Sequence, residues 1–214
     1  MTHRLYLLRH GEPARRDIFY GHHDVHLSER GLAQAQAQAA ALAPLEIAAL
    51  HASDLTRARV GGEAVAARGA DRPPLRCVPA LREMHLGVLE EQPFAAALAT
   101  YPEHARLRYE DMLDVRLPGG GESVRDVADR VIPWIRGLVR EHPDGDRPRN
   151  LVLVTHNTVI RILLAFAAGL GAAGYTRFAP ALGSISRIDV DPGADDIFAG
   201  ATIALANWRP SLTK

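Results

Sequence analysis

The chain has 214 residues, 47% of them hydrophobic and 23% charged, which suits one well-buried domain. Lys plus Arg and Asp plus Glu each number 25, so no global charge favours nucleic acid, a membrane surface or a strongly charged partner. A single cysteine, Cys77, excludes an intramolecular disulfide. The opening Met1-Thr2-His3-Arg4 is followed by only four apolar residues, too short for a signal-peptide core. No run approaches membrane-spanning length, and the expectation is a soluble cytoplasmic protein.

The first informative run is Leu5-Tyr6-Leu7-Leu8-Arg9-His10-Gly11-Glu12. Four residues suited to a buried strand stop at an arginine, a histidine and a glycine. In parallel α/β sheets ligands bind beyond the strand C-termini, and glycine lets backbone turn tightly there. Arg9 brings a planar charge suited to phosphate, and His10 a nucleophilic nitrogen partly unprotonated near neutral pH. Residues 12 to 27 show no helical or strand period and read as a loop at the mouth of the site, with His22-His23-Asp24-Val25-His26 inviting either a metal or a polar pocket rim.

Ser28 is an expected N-cap for an Ala- and Gln-rich helix over Leu32 to Leu45. Glu46 to His51 reads as a short strand, ended by the cap residues Ser53-Asp54 before a helix over Leu55 to Arg68. Arg57 then falls in a first helical turn, where free N–H groups also favour an anion. Leu75 to Val78 is the next short strand, with Cys77 as an inert core thiol. Leu81 to Gly87 follows as a loop at its carboxyl end. Residues 92 to 112 look helical, hold Phe94, Tyr101, Tyr109 and Met112, and are expected to form a lid or side wall within a segment at about 91–118.

Apolar residues at three- and four-residue spacing predict a helix over Val124 to Glu141, with Pro133 as a possible kink. After a polar turn at Pro143 to Pro148, Asn150 to Thr155 is the second continuous apolar strand. It ends at His156-Asn157, and a helix over Thr158 to Leu170 repeats the opening arrangement of strand, histidine and helix. Ala181 to Val190 and Ile197 to Leu205 alternate as strands around Asp191-Pro192-Gly193, a hairpin signal.

With Leu5 to Gly11, Ser53 to Ala58, Leu81-Arg82-Glu83 followed by Gly87, and Val152 to His156, the sequence resembles the histidine phosphatase superfamily, which includes the cofactor-dependent phosphoglycerate mutases. The resemblance covers nearly the whole chain. It implies one domain, 1–214, of phosphoglycerate mutase-like α/β fold: a three-layer α/β/α sandwich with a mostly parallel central sheet. It implies His10 as the residue that becomes a phosphohistidine, Glu83 as proton donor, and Arg9, Arg57, His156 and Asn157 as phosphate-binding, with Gly21 and His22 at the substrate pocket. Neither a metal nor another cofactor is then called for, because two arginines and a second histidine supply positive charge.

Two departures stand out. Where many members carry a Trp-Asn pair this chain has Ala14-Arg15-Arg16, so Arg15 or Arg16 either replaces the pocket asparagine or faces solvent. The usual His-Gly is His156-Asn157, whose asparagine is expected to cap the helix. His22 and His26 also stand where related phosphatases often have Arg and Pro. The mutases carry a longer insertion after the equivalent of Glu83. The expected function is therefore hydrolysis of a small organic phosphate monoester, as in the α-ribazole and broad-specificity phosphatases. Mutase-type transfer, or a catalytically idle protein binding phosphorylated ligands, is the alternative. A homodimer through an apolar edge strand rests on the resemblance alone.

Overall fold

The computed structural model describes residues 2–143 and 147–212. Of the polar turn expected at Pro143 to Pro148, residues 144–146 lie outside the described residues. β1 (His3–Arg9) and β4 (Asn150–Thr155) are the two apolar runs, and they pair in parallel. Every residue of β4 is buried, as expected of a strand covered on both faces. β2 (Ala49–Ala52) flanks β4, and β3 (Leu75–Cys77) flanks β2, both in parallel. β5 (Ile185–Val190) and β6 (Thr202–Trp208) extend the other side antiparallel, giving the order β3-β2-β4-β1-β5-β6.

Period-2 alternation splits the core into two layers. Leu5, Leu7, Leu151 and Leu153 pack with Val127, Val131 and Ile135 of α5 (Val124–Arg140) and with Ile160 and Leu163 of α6 (Asn157–Ala167). Tyr6, Leu8, Val152 and Val154 pack with Ala35 and Ala39 of α1 (Glu29–Ala41) and with Ala58 and Val65 of α2 (Thr56–Ala66). The result is the expected helix, sheet, helix sandwich. Between β3 and α5 lie α3 (Phe94–Thr100) and the single turn α4 (Pro102–Ala105), so the stretch expected to be helical is broken rather than continuous.

Several boundaries differ from expectation for identifiable reasons. Cys77 is exposed rather than a core thiol, because β3 is a three-residue edge strand. The β5 to β6 connection is not a tight hairpin. Gly183 and Gly200, with φ of +71° and +76°, lie just before β5 and β6 and delay the start of each strand, while Ile197 and Phe198 drop from the connection into the core beneath α6. Pro133 sits inside α5, which runs unbroken from Val124 to Arg140.

The exit of β1 is fixed by backbone contact. A Cβ on Gly11 would lie 2.2 Å from the Gly31 carbonyl oxygen, and one on Gly31 would lie 2.1 Å from that of Glu12. Ser28, the N-cap of α1, accepts from Gly31 N at 3.1 Å and donates its own N–H to Glu12 O at 2.9 Å. Gly31→Ala should therefore force two backbones apart and cost roughly 1–3 kcal/mol. Urea unfolding measures it, and an unchanged midpoint would contradict the close approach.

Candidate active site

Register places the two histidines. Arg9 lies opposite Thr155 in the β1–β4 ladder, so His10 and His156 leave the sheet at neighbouring points. Their ring centroids are 5.1 Å apart, tilted by 59°. His10 Nδ1 lies 2.8 Å from the Gly11 carbonyl oxygen, which only accepts, so the ring hydrogen sits on Nδ1 and Nε2 keeps its lone pair. Burial, then the charges of Arg57 and Arg9, push this imidazole well below the usual histidine range. His156 is fully buried with no partner on either ring nitrogen. Burial, then Arg57 and His10, lower it in the same way.

Arg57 has no exposed surface, although it sits in the first turn of a helix where arginines normally face water. Its guanidinium donates through Nη1 to His23 O at 3.0 Å and through Nη2 to Gly21 O at 2.6 Å, leaving Nε unpartnered. Arg9 donates through Nη1 to Pro180 O at 2.6 Å, and its Nε is likewise buried without a partner. Ser53-Asp54 does not cap α2. Asp24 does so from the loop, accepting from Thr56 N at 2.8 Å and Thr56 Oγ1 at 2.6 Å.

Glu83 reaches the start of α6. Its Oε2 accepts from Asn157 N at 3.1 Å and its Oε1 from Thr158 N at 3.2 Å and Met84 N at 3.0 Å. A carboxylate there meets free helix N–H groups and the positive end of the dipole. This corrects the expected cap. His156 holds the N-cap position without a side-chain bond, and Asn157 is the first helical residue, its Oδ1 accepting from Arg161 Nε at 3.1 Å.

The loop before α1 disperses its cluster. His22 Nε2 donates to the Glu83 carbonyl oxygen at 2.8 Å, so it braces the Glu83 loop instead of lining the cavity. Gly21 does line the cavity, with φ of +49° and room for a Cβ only 2.0 Å from Glu90 Oε1. His23 pairs with Glu91 at 3.1 Å, and His26 is exposed. Arg15 and Arg16 face solvent, 54% and 70% exposed, on Asp17 and Glu12.

Sequence reasoning missed Arg130. From α5 it donates to Ala80 O at 2.7 Å, to Arg82 O and Glu83 O at 2.9 Å each, and to Glu122 Oε1 at 2.7 Å. It thereby clamps the loop that carries Glu83. Its place beside Val127 and Val131, at the margin of the apolar stripe, is one that a solvated arginine also takes. Glu90 was missed too; its Oε1 accepts from His22 N at 2.7 Å and Leu86 N at 2.9 Å and joins two loops at the site.

Two guanidiniums and two neutral imidazoles, with four buried nitrogens unpartnered, form a site whose hydrogen-bonding capacity the protein itself leaves partly unused. Buried donors left so are costly, and an anion resolves the cost. A phosphoryl group, with three equatorial oxygens and an in-line nucleophile, matches this set.

Nitrogen NMR at pH 7 should find His10 as the neutral Nδ1–H tautomer, and an imidazolium there would contradict the geometry. Unfolded histidines titrate near 6.5, above both folded rings, so the unfolded chain binds more protons once the pH falls through that value. Each ring then removes up to about 1.4 kcal/mol of stability per pH unit. Thermal unfolding at neutral and mildly acid pH should show a shallower acid loss in His156→Gln than in the wild type.

The model of the histidine phosphatase superfamily (branch 1) matches residues 5–199. A glucosyl-3-phosphoglycerate phosphatase of Mycolicibacterium vanbaalenii is 36% identical over 97% of this chain and 95% of its own. Phosphoglycerate mutase-like protein 4 of Arabidopsis thaliana is 35% identical over 73% of this chain and 67% of its own. Among solved structures, a mycobacterial glucosyl-3-phosphoglycerate phosphatase superposes with a TM-score of 0.84 at 30% identity, covering 97% of this chain and 99% of that one. The α-ribazole phosphatase of Shigella flexneri does so at 0.82 and 25% identity, covering 99% of both. With its two strand-end histidines side by side and a family match over nearly its whole length, the chain belongs to the histidine phosphatase superfamily.

Proposed function

We propose that the protein hydrolyses phosphate monoesters through a phosphohistidine on Nε2 of His10. The observation that carries this reading is the pair of imidazoles 5.1 Å apart, flanked by buried Arg57 and half-buried Arg9, each with a buried and unpartnered Nε. Nε2 attacks phosphorus while the bond to the leaving oxygen breaks, and that oxygen takes its electron pair and a proton from Glu83. Water, giving its proton to Glu83, then attacks phosphorus; the P–N bond breaks, and the electron pair returns to Nε2. Arg9, Arg57 and His156 hold the three equatorial oxygens through both steps.

Glu83 suits the proton role because of what it touches before substrate arrives. Its carboxylate occupies the N–H groups of Asn157 and Thr158. A phosphate dianion competes for these donors and, once bound, frees the carboxyl to hold a proton facing the leaving oxygen. The chain 1–214 acts as a single catalytic unit in this reading, with residues 91–118 as the lid.

The test is phosphate release from a panel of monoesters with chelator present. His10→Ala should abolish turnover and the acid-labile label that wild type acquires from labelled substrate; near-native turnover by the variant would remove His10 as the nucleophile. Silence of the wild type across the panel would favour a binding protein. Formation of 2-phosphoglycerate from 3-phosphoglycerate with 2,3-bisphosphoglycerate would favour a mutase.

A further inference from the structure

The cavity at the catalytic end of the sheet has two chemically different ends. It encloses about 350 Å³, a size suited to a small ligand. One end is the phosphate cage, reached through Arg9, Glu83, Asn157 and Thr158. The other is walled by Phe19, Leu86, Phe94, Leu107, Met112 and Leu117. Among the described residues, Arg9 is the one Lys or Arg that lines the space.

The polar tips on this wall are few: Tyr20, His104 and Tyr109. Tyr109 donates its hydroxyl to Thr158 Oγ1 at 2.8 Å. The nearby Arg161 lies over the Tyr109 ring at 4.9 Å and is bonded to Asn157. His104 Nδ1 lies 3.0 Å from the Glu103 carboxylate but makes no hydrogen bond. A leaving group with its own carboxylate would be buried near the like charge of Glu83, and a polyhydroxylated one would find few partners on a mostly apolar wall. At the mouth, Phe94 is 45% exposed and meets Phe19 edge-on, with centroids 4.8 Å apart. An exposed aromatic bordering an apolar cavity is what an apolar ligand would cover.

We propose, building on the phosphatase reading, that the substrates are phosphate monoesters of apolar alcohols, their hydrocarbon part held against the Phe19–Leu107–Met112 wall. The specificity-determining residues then belong to the segment between β3 and α5, together with Phe19 from the first loop.

The test is a ladder of ethyl, butyl and hexyl phosphate beside 3-phosphoglycerate and 4-nitrophenyl phosphate. The alkyl leaving alcohols barely differ in acidity, so any trend reports binding of the chain. Full burial is worth about fourfold per methylene, and kcat/KM should rise at least about tenfold from ethyl to hexyl. Hexyl phosphate should also exceed 3-phosphoglycerate. A flat ladder, or preference for 3-phosphoglycerate, overturns the proposal while leaving phosphatase activity standing. Absence of release even from the activated nitrophenyl ester would instead strike the phosphatase reading itself. Leu107→Lys should lower the ratio of kcat/KM for hexyl phosphate to that for ethyl phosphate, and a variant that keeps the wild-type ladder also overturns the proposal. Should that variant fail to fold, the wild-type ladder decides alone.

Discussion

The parallel pairing of β1 with β4 is the constraint on which the rest depends. Its register sets Arg9 against Thr155, and the backbone N–H of His10 continues the ladder by donating to Thr155 O at 3.0 Å. Because successive residues point to opposite faces, a slip of one residue would send one histidine into a helix layer. Two layers of Leu and Val, each tied to its own pair of helices, make such a slip prohibitively costly. The distance between two chemically active rings is thus set by hydrophobic packing well below the site.

That geometry creates an electrostatic problem the fold has to tolerate. Arg57 is fully buried, and each guanidinium depresses both imidazoles. The protein copes by giving the guanidiniums backbone carbonyls rather than carboxylates: Pro180 for Arg9, Gly21 and His23 for Arg57. A carbonyl orients a cation without cancelling its charge, so the positive field stays available to a dianion. Glu83, the carboxylate that acts most strongly on both arginines, is bonded to helix N–H groups instead of to an arginine.

Where the sequence was legible, it was so because a residue type was out of place. Arginine and histidine at the end of an apolar run, and a histidine opening a helix after another, identified β1 and β4 as strands that end in functional residues. Arg57 was readable only in combination, since a helix arginine is ordinarily solvated. Arg130 and Glu90 left no such trace, because each acts through backbone carbonyls or N–H groups of loops distant in sequence, contacts that neither periodicity nor composition encodes. His22 misled for the converse reason. It stands at a pocket position in the chain but spends its ring on the Glu83 carbonyl. Cys77 and the β5–β6 connection went wrong because edge position and left-handed glycines are decided by tertiary context, not by local alternation.

The two ends of the cavity are also held with different stiffness. The cage is cross-braced. Asp24 ties the first loop to α2, Arg57 ties α2 back to that loop, Glu90 joins the loop to Leu86, and Arg130 clamps residues 80–83. Almost every bond is to backbone, so side-chain changes elsewhere leave it intact. The opposite wall rests on short helices, one of seven residues and one of four, and on side-chain contacts such as Phe19 with Phe94. Phosphoryl transfer needs the first kind of construction, because a cage shifted by 1 Å loses much of its advantage over water. Choice of leaving group needs only the second. The same scaffold can therefore keep one chemistry fixed while the identity of the alcohol is written in a few apolar side chains that bear no catalytic load.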